Sequence, residues 1–348
     1  MPTEDAPPES TPESPADSLA ELICPAGTPA ALRTAVDAGA DAVYCGFQDA
    51  TNARNFPGLN FTPDELAASV AYAHARGTRV LLALNTYPPA GKVDLWRQAA
   101  DTGARLGVDA FIVADMGVAD YIARSHPGIR LHLSVQAAAS SPEAIRYYCQ
   151  NFGVRRVVLP RILTIPEIRQ IRKEIPCEIE TFIFGNHGLM VEGRCSLTNY
   201  LTGQSTNMDG VCSPASDVEY ARHPDGTMSS QLAGFTIDRF GAQEMAGYPT
   251  ICKGRYTAPH RPEGYYAFEE PISLNLSQLL PDLIEAGVHA FKIEGRQRSK
   301  SYVRGVVSAF RKAVDDIRAG RPANMADLIA LTEGQKQTQG AFETKKWR

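Results

Sequence analysis

The sequence repeats one unit, in which a short apolar run is followed by a segment whose apolar residues have helical spacing. Most of the runs are continuous rather than alternating, which is typical of parallel strands covered on the outside. Such repetition predicts a (β/α)8 barrel, an α/β fold, with an open doubly wound sheet as the alternative. No Gly-x-Gly-x-x-Gly follows the first run, which disfavours the open sheet. The predicted strands are residues 22–24, 42–45, 80–85, 110–114, 131–135, 156–160, 178–184 and 290–294.

Capping residues mark the helix boundaries. Thr62 precedes Pro63 at one helix start, and Gly77 follows the matching end. This is the usual order of a hydroxyl N-cap, a first-turn proline and a C-terminal glycine. The predicted helices are residues 30–38, 63–76, 93–106, 118–125, 142–151, 165–173, 276–286 and 301–319.

The regular pattern covers residues 20–320, which we assign to one barrel domain. Residues 1–19 are rich in Pro, Glu and Ser and cannot bury enough apolar surface to offset ordering entropy, so a disordered tail is predicted. Residues 321–348 are assigned as a C-terminal tail. Residues 186–272 form a long insertion between the seventh and eighth strands, and such insertions are more often functional than idle.

Charge and composition restrict the class of partner. The formal net charge is -4 and the sequence pI is about 6.0, so no overall basic field recruits nucleic acid, and none is expected as a partner. No apolar run approaches the roughly 18 residues needed to span a bilayer. The chain starts without a signal-peptide pattern, so a cytoplasmic protein is expected. Its 7 cysteines therefore favour reduced thiols or metal ligands over disulfides.

Three cysteines of the insertion are the strongest chemical signal. Cys195, Cys212 and Cys252 lie in loop-like sequence beside Gly, Arg, Lys or Pro. Nearby cations favour thiolates, and Gly lets backbone N–H groups approach cluster sulfurs, so a metal or an iron–sulfur cluster is predicted here. His187, just after the seventh strand, is a further candidate ligand. The alternative is three scattered free thiols, because the wide spacing is no compact zinc pattern.

Functional residues of a barrel lie at the carboxyl ends of its strands. Lys292 and Glu294 alternate onto the same side of the last strand and predict a pair that binds a carboxylated substrate and moves a proton. The alternative is an ion-pair network at the rim. Glu192 is a third catalytic candidate, and the guanidinium forks of Arg194 and Arg296 suit carboxylates. The remaining predicted substrate-binding residues are Asn85, Ser134 and Gln136.

Several long motifs carry a resemblance to a known family. At VEGRCSLTNYLTG, GVCSP, YPTICKGRY and KIEGRQRSKSYV the sequence resembles the collagenase-like peptidase family of unclassified catalytic type. The earlier ICPAG, VYCG, LALNT, VADMG and LSVQA fit the same family, so that the resemblance covers residues 21–317. It implies a barrel-type fold and a [4Fe–4S] cluster held by four cysteines.

Three of those ligand positions fall on Cys195, Cys212 and Cys252, whereas the family's first ligand falls on Gly188, which has no ligand atom. Three outcomes stay open. His187 or another nearby group completes the cluster, the fourth iron stays open to solvent or substrate, or the cluster is absent.

Within the family, the sequence is most similar to the branch that acts in oxygen-independent ubiquinone biosynthesis. That likeness implies hydroxylation of a ubiquinone precursor, prephenate as the small anionic oxygen donor, and a heterodimer with a UbiV-like family member. A prephenate-dependent tRNA or rRNA hydroxylase, a peptidase and a non-catalytic partner scaffold are the alternatives. Peptidase activity is disfavoured because no nucleophile elbow or His-Glu-x-x-His motif is present.

Overall fold

The computed structural model describes residues 21–188, 195–323, 328, 331 and 336–344. The predicted disordered tail of residues 1–19 lies outside these residues. So do the predicted catalytic Glu192 and the predicted substrate-binding Arg194.

Eight parallel strands close into a barrel surrounded by helices, which confirms the predicted fold class. The last of them in the chain lies between the first and the seventh and closes the sheet. The barrel strands are β1 (Glu21–Pro25), β2 (Ala42–Cys45), β3 (Arg79–Leu84), β4 (Ala110–Val113), β5 (Arg130–Leu133), β6 (Val154–Val158), β7 (Glu178–Asn186) and β14 (Ala290–Ile293).

The helices begin where the sequence supplies caps. Thr62 and Thr164 each form a reciprocal capping box with the glutamate three residues on, and a proline occupies the first turn of both helices. The helices are α1 (Pro29–Asp37), α2 (Pro63–His74), α3 (Asp94–Arg105), α4 (Met116–Ser125), α5 (Pro142–Phe152), α6 (Ile165–Glu174), α7 (Leu197–Thr202), α8 (Leu280–Glu285) and α9 (Lys300–Arg318).

The barrel interior is apolar on one wall and charged on the other. The apolar interior cluster comes from β1 to β4 and β14, and its largest members are Ile23, Tyr44, Leu81 and Ile112. The facing strands β5 to β7 contribute the buried side chains of His132, Arg156 and Glu180 instead. Since a buried charge is stable only when it is paired, the charged wall must carry its own counter-ions.

Arg156 is the centre of that charged wall and is only 2% exposed. Its guanidinium lies 2.8 Å from a carboxylate oxygen of Glu21, 2.6 Å from Glu178 and 3.6 Å from Glu180. Glu180 also accepts a 2.6 Å hydrogen bond from the Lys292 ammonium of β14. Ion pairs therefore connect the first, sixth, seventh and last strands of the barrel.

The insertion carries small sheets of its own. One contains β8 (Val218–Arg222), β9 (Met228–Leu232) and β10 (Phe235–Phe240), with β9 in the centre. The other is the hairpin of β11 (Arg255–Ala258) and β12 (Arg261–Tyr266).

The insertion returns to the barrel through β13 (Ser273–Asn275), which pairs antiparallel with the end of β7. The short β15 (Gln337–Thr338) pairs with β13, and Phe342 is 1% exposed within the main core. Part of the segment that we assigned as a C-terminal tail therefore packs against the barrel. Among the described residues, no helix is long and apolar enough to cross a membrane.

Candidate functional site

The insertion lies on the carboxyl end of the barrel. The backbone amide of Asn55, in the loop after β2, donates to the Gly210 carbonyl. The backbone amide of Tyr87, after β3, donates to the Asn207 carbonyl. β7 is nine residues long and leads directly from the barrel wall to the insertion. The strand ends and the cysteine-bearing segment therefore form one continuous region.

Glu294 organises the barrel mouth by holding two arginines. Its carboxylate lies 3.2 Å from Arg54 and 2.7 Å from Arg161. The guanidinium of Arg161 also stacks 3.6 Å from the ring centre of Phe182. Burial by itself would raise the pKa of Glu294, but Arg161 and Arg54 outweigh it and hold that pKa below its usual value. Glu294 is thus a carboxylate that stays ionised at the mouth.

The predicted Lys292–Glu294 pair does not form. The two side chains do alternate onto the same side of β14, but they reach different depths, and each finds a partner on another element. Lys292 lies deeper, where it pairs with Glu180 and sits 4.0 Å from the ring centre of Tyr44. Burial lowers the pKa of Lys292, while Glu180 opposes that shift. Lys292 therefore belongs to the charged interior, and Glu294 to the mouth.

Arg296 is a buried cation whose partner is neutral. It is 8% exposed, and its guanidinium donates a 3.2 Å hydrogen bond to the side-chain carbonyl of Asn52. The same Asn52 oxygen accepts from the backbone amide of Arg54 at 3.0 Å, so it joins the Arg296 guanidinium to the loop that carries Arg54. No carboxylate of the described residues forms an ion pair with Arg296, and burial lowers its pKa to about 10. A cation buried this way favours binding of an anion.

The predicted Asn85, Ser134 and Gln136 lie in a hydrogen-bonded chain between the mouth and the thiols. Asn85 donates to the Ser134 hydroxyl at 3.1 Å. Asn207 donates to the Gln136 side chain at 2.9 Å and accepts from the Cys195 amide at 3.0 Å. These polar groups hold the Cys195 segment against the ends of β3 and β5.

The three predicted thiols act on one another electrostatically. Cys195 and Cys252 are buried, and Cys212 is half-buried with its sulfur 3.7 Å from the Thr198 hydroxyl of α7. Burial, then Glu269, then Cys212 and Cys195 raise the pKa of Cys252 to about 12. The charges of Cys212 and Cys195 are therefore felt at Cys252, and the grouping of the three thiols around one cluster stays a prediction.

The described donors limit the kind of metal centre that this region could hold. Among the described residues, no group of three or more His, Cys, Asp or Glu side chains is arranged to hold a single metal ion. A [4Fe–4S] cluster distributes its protein ligands over separate irons, so that it takes thiolates that do not converge on one point. Cys195, Cys212 and Cys252 are thiols, the donor type that such a cluster takes, and Gly188 has no ligand atom.

His187 is 2% exposed, and its backbone and ring point to different neighbours. Its carbonyl accepts a 2.6 Å hydrogen bond from Lys253, the residue after Cys252. The ring packs on the C-terminal segment, since a Cβ added to Gly340 would lie 2.8 Å from the His187 Cε1 atom. The His187 carbonyl is therefore close to the Lys253 ammonium, whereas the imidazole is turned toward Gly340.

The other described cysteines lie elsewhere. Burial raises the pKa of both Cys24 and Cys45, so these thiols stay protonated and unreactive. Cys149 of α5 and Cys177, which precedes β7, lie near each other at the opposite end of the barrel.

Comparison with known proteins identifies the family of this chain. A model of Peptidase family U32 matches residues 27–345. The chain belongs to peptidase family U32. That membership confirms the resemblance seen in the sequence motifs.

Relatives of this U32 chain include RNA-modifying proteins. It is 31% identical to tRNA hydroxylation protein P of Escherichia coli, over 90% of this chain and 71% of that protein. It is 32% identical to tRNA hydroxylation protein P1 of Bacillus subtilis, over 84% of this chain and 63% of that protein. Against the 23S rRNA 5-hydroxycytidine C2501 synthase of Escherichia coli, identity is 29% over 91% of this chain and 42% of the synthase. The chain thus spans less than two thirds of some of these relatives.

A solved structure, that of the U32 peptidase Mk0906, is similar to this U32 chain with 20% identity and a TM-score of 0.42. The match covers 51% of this chain and 73% of that one.

Sequence reasoning missed four residues of the region. Arg54 and Asn52 follow β2 in a loop without periodicity, and Asn207 and Glu269 lie inside the insertion. The one sequence signal for these residues is that they are polar and lie in loops that follow strand ends or flank cysteines.

Proposed function

We propose that this U32 chain is the hydroxylating subunit of an oxygen-independent step of ubiquinone biosynthesis. In this proposal it works with a UbiV-like family member and takes the oxygen from prephenate, a dicarboxylate. Membership of a family with hydroxylation proteins among its relatives supports the reaction class. The choice of a ubiquinone precursor rests on the sequence motifs of that branch.

The observation that carries the proposal is the buried Arg296. A guanidinium taken out of water without a carboxylate partner is costly, and an anionic ligand would remove that cost. The Arg54 guanidinium pairs with Glu294, and its charge acts on Arg296, so both cations belong to the mouth. A carboxylate of the donor is therefore expected on Arg296, with Arg54 beside it.

Glu294 is the group placed to receive a proton at the mouth. Its carboxylate is ionised and held in position by Arg54 and Arg161. A donor carboxylate that draws Arg54 away would loosen one of these contacts and raise the proton affinity of Glu294. Lys292 and Glu180 lie deeper and keep the barrel wall in place rather than touch substrate.

The thiols would hold the redox group. Cys195, Cys212 and Cys252 are the residues that would bind a [4Fe–4S] cluster, and a bound cluster supplies single-electron exchange at a polarising iron centre. The Asn85–Ser134 and Gln136–Asn207 contacts would keep that site next to the arginines, and the insertion would shield it from bulk water.

A second candidate is hydroxylation of RNA. It is favoured by the names of relatives that are 31–32% identical to this chain. The formal charge of -4 favours the small-molecule acceptor, because RNA binding gains from a basic surface.

A deletion strain grown without oxygen decides between the acceptors. We expect loss of hydroxylated ubiquinone intermediates, restored by the wild-type gene and not by Cys252→Ser, with RNA modification unchanged. Lys312→Met, on the exposed face of α9, is the matched control and should restore fully. An unchanged quinone profile with missing hydroxylated nucleosides would establish the RNA candidate instead. Full rescue by Cys252→Ser would reduce the chain to a scaffold.

A further inference from the structure

Asn52 lies where the loop after β2 meets the buried Arg296, and its own side chain is fully buried. Its amide nitrogen donates to the Phe47 carbonyl at 2.6 Å. Its side-chain oxygen accepts from the backbone amide of Arg54 at 3.0 Å and from the Arg296 guanidinium at 3.2 Å. These partners fix the orientation of the amide, because only its oxygen can accept and only its nitrogen can donate.

The backbones on both sides of this contact are closely packed. A Cβ added to Gly46, directly after β2, would lie 2.6 Å from the Asn52 Cγ atom, so the side chain packs on the backbone there. A Cβ added to Gly27 would collide with the Arg296 carbonyl oxygen, so the end of β14 is confined in the same way. The hydrogen bond therefore joins two groups that have little room to move apart.

A second neighbour of Arg296 is also uncharged. The Arg296 guanidinium lies 5.6 Å from the ring centre of the buried Tyr44. Glu294, the carboxylate two residues before Arg296, instead pairs with Arg54 and Arg161. Within the described part of the chain, the charge of Arg296 thus meets an amide oxygen and an aromatic ring and is not neutralised.

The residue type at position 52 decides whether that charge is available to a ligand. Aspartate has nearly the same shape as asparagine, and in its place it would form a buried ion pair with Arg296. Its second oxygen would then face the Phe47 carbonyl, which takes a donor from the wild-type side chain. The amide suits both neighbours and gives Arg296 a hydrogen bond without a counter-charge.

We propose that Asn52 sets the charge specificity of the barrel mouth, because it orients the Arg296 guanidinium and leaves its positive charge for a carboxylate of the ligand. This inference rests on the anion-binding role that the proposed function gives to Arg296. Asn52 acts through Arg296 and is therefore a positioning residue. A neutral ligand of the same shape leaves the buried guanidinium without a counter-charge, so the mouth discriminates in favour of anions.

The test is the affinity of the full-length chain for prephenate and for malonate, a plain dicarboxylate, measured by calorimetry. Asn52→Asp neutralises Arg296 within the protein and is expected to weaken binding at least about tenfold. Asn52→Ser removes the acceptor but keeps the charge of Arg296 available, so a loss of only about two- to fivefold is expected. Asn55→Asp, the matched control, adds the same charge to the same loop and should change the affinity less than about threefold.

A double-mutant cycle separates this role from simple support of the loop. In an Arg296→Met background, Asn52→Ser has no guanidinium left to release, so the double variant should bind within about twofold of Arg296→Met. If the full loss from Asn52→Ser persists in that background, Asn52 only holds the loop and the inference is overturned.

The remaining outcomes also decide. Wild-type affinity in Asn52→Asp, an equal loss in Asn52→Ser, or an equal loss in Asn55→Asp overturns the inference while the donor of the proposed function stands. If the wild-type chain binds malonate but not prephenate, and the variants keep their expected order on malonate, the inference holds and the proposed donor is wrong. A wild-type chain that binds neither compound overturns both. Should Asn52→Asp fail to fold, as circular dichroism would reveal, the cycle with Asn52→Ser still decides whether Asn52 acts through Arg296.

Discussion

Removing the Lys292 ammonium tests whether the charged barrel wall is held by mutual pairing. Lys292→Met leaves the fully buried Glu180 with only the Arg156 guanidinium, 3.6 Å away and shared with other carboxylates. Breaking one partner of a buried ion pair costs about 3–5 kcal/mol. Because Arg156 gives Glu180 partial compensation, we expect the lower end, about 3 kcal/mol, which is roughly a 100-fold change in the unfolding equilibrium.

Urea unfolding measures the loss as a lower midpoint at an unchanged slope. The double variant Lys292→Met/Glu180→Met removes both charges and should regain most of the lost free energy, since a buried pair is commonly replaceable by apolar groups. Lys312→Met removes an exposed ammonium from Asp316, which keeps its pair with Arg321, and should cost at most about 1 kcal/mol. The pairing argument would be refuted if Lys292→Met lost no more free energy of unfolding than Lys312→Met. It would also be refuted if the double variant lost as much as Lys292→Met and Glu180→Met do when their separate losses are added.

Three further predictions concern the loops and the carboxylates. Gly27→Ala should lose about 1–3 kcal/mol in thermal unfolding, because its new Cβ would collide with the Arg296 carbonyl, whereas Gly241→Ala, with no atom within 4 Å, should change little. Equal melting temperatures would contradict this close approach. Burial would raise the pKa of Glu178, but Arg156 and Arg130 together outweigh it and hold that pKa below its ordinary 4.5. The stabilisation from Glu178 is therefore present above that pH and is lost as the pH falls through the lower folded value. Glu178→Gln should therefore flatten the acid side of the stability curve, and an equally steep acid loss in denaturant titrations would count against it. Arg296→Met should weaken prephenate binding at least about tenfold in calorimetry, and an unchanged affinity would remove Arg296 from the site.

The barrel was predictable because its signals are local and repeated. Each apolar run must bury itself, and residues such as Thr62 and Thr164 fix helix starts through contacts three residues away. The C-terminal segment was assigned as a tail because the burial of Phe342 depends on tertiary contact with the barrel and leaves no periodic trace.

The candidate site was predictable only at the strand ends. Glu294 and Arg296 follow directly from the end of β14, so the fold places them at the mouth. Arg54 and Glu269 are placed by loop backbones that bring distant segments together, and no spacing rule reports that. The Lys292–Glu294 pairing was wrong because alternation gives the side of a strand but not the depth or the partner.

The position of β14 in the chain has a consequence for synthesis on the ribosome. Strands β1 to β7 emerge long before the strand that joins the two free edges of their sheet, and unpaired apolar edges invite aggregation. While the sheet is unclosed, Arg156 and Glu180 can stay hydrated, giving the nascent sheet one wettable face. When β14 closes the barrel and adds Lys292, that water is displaced and each charge forms its ion pair.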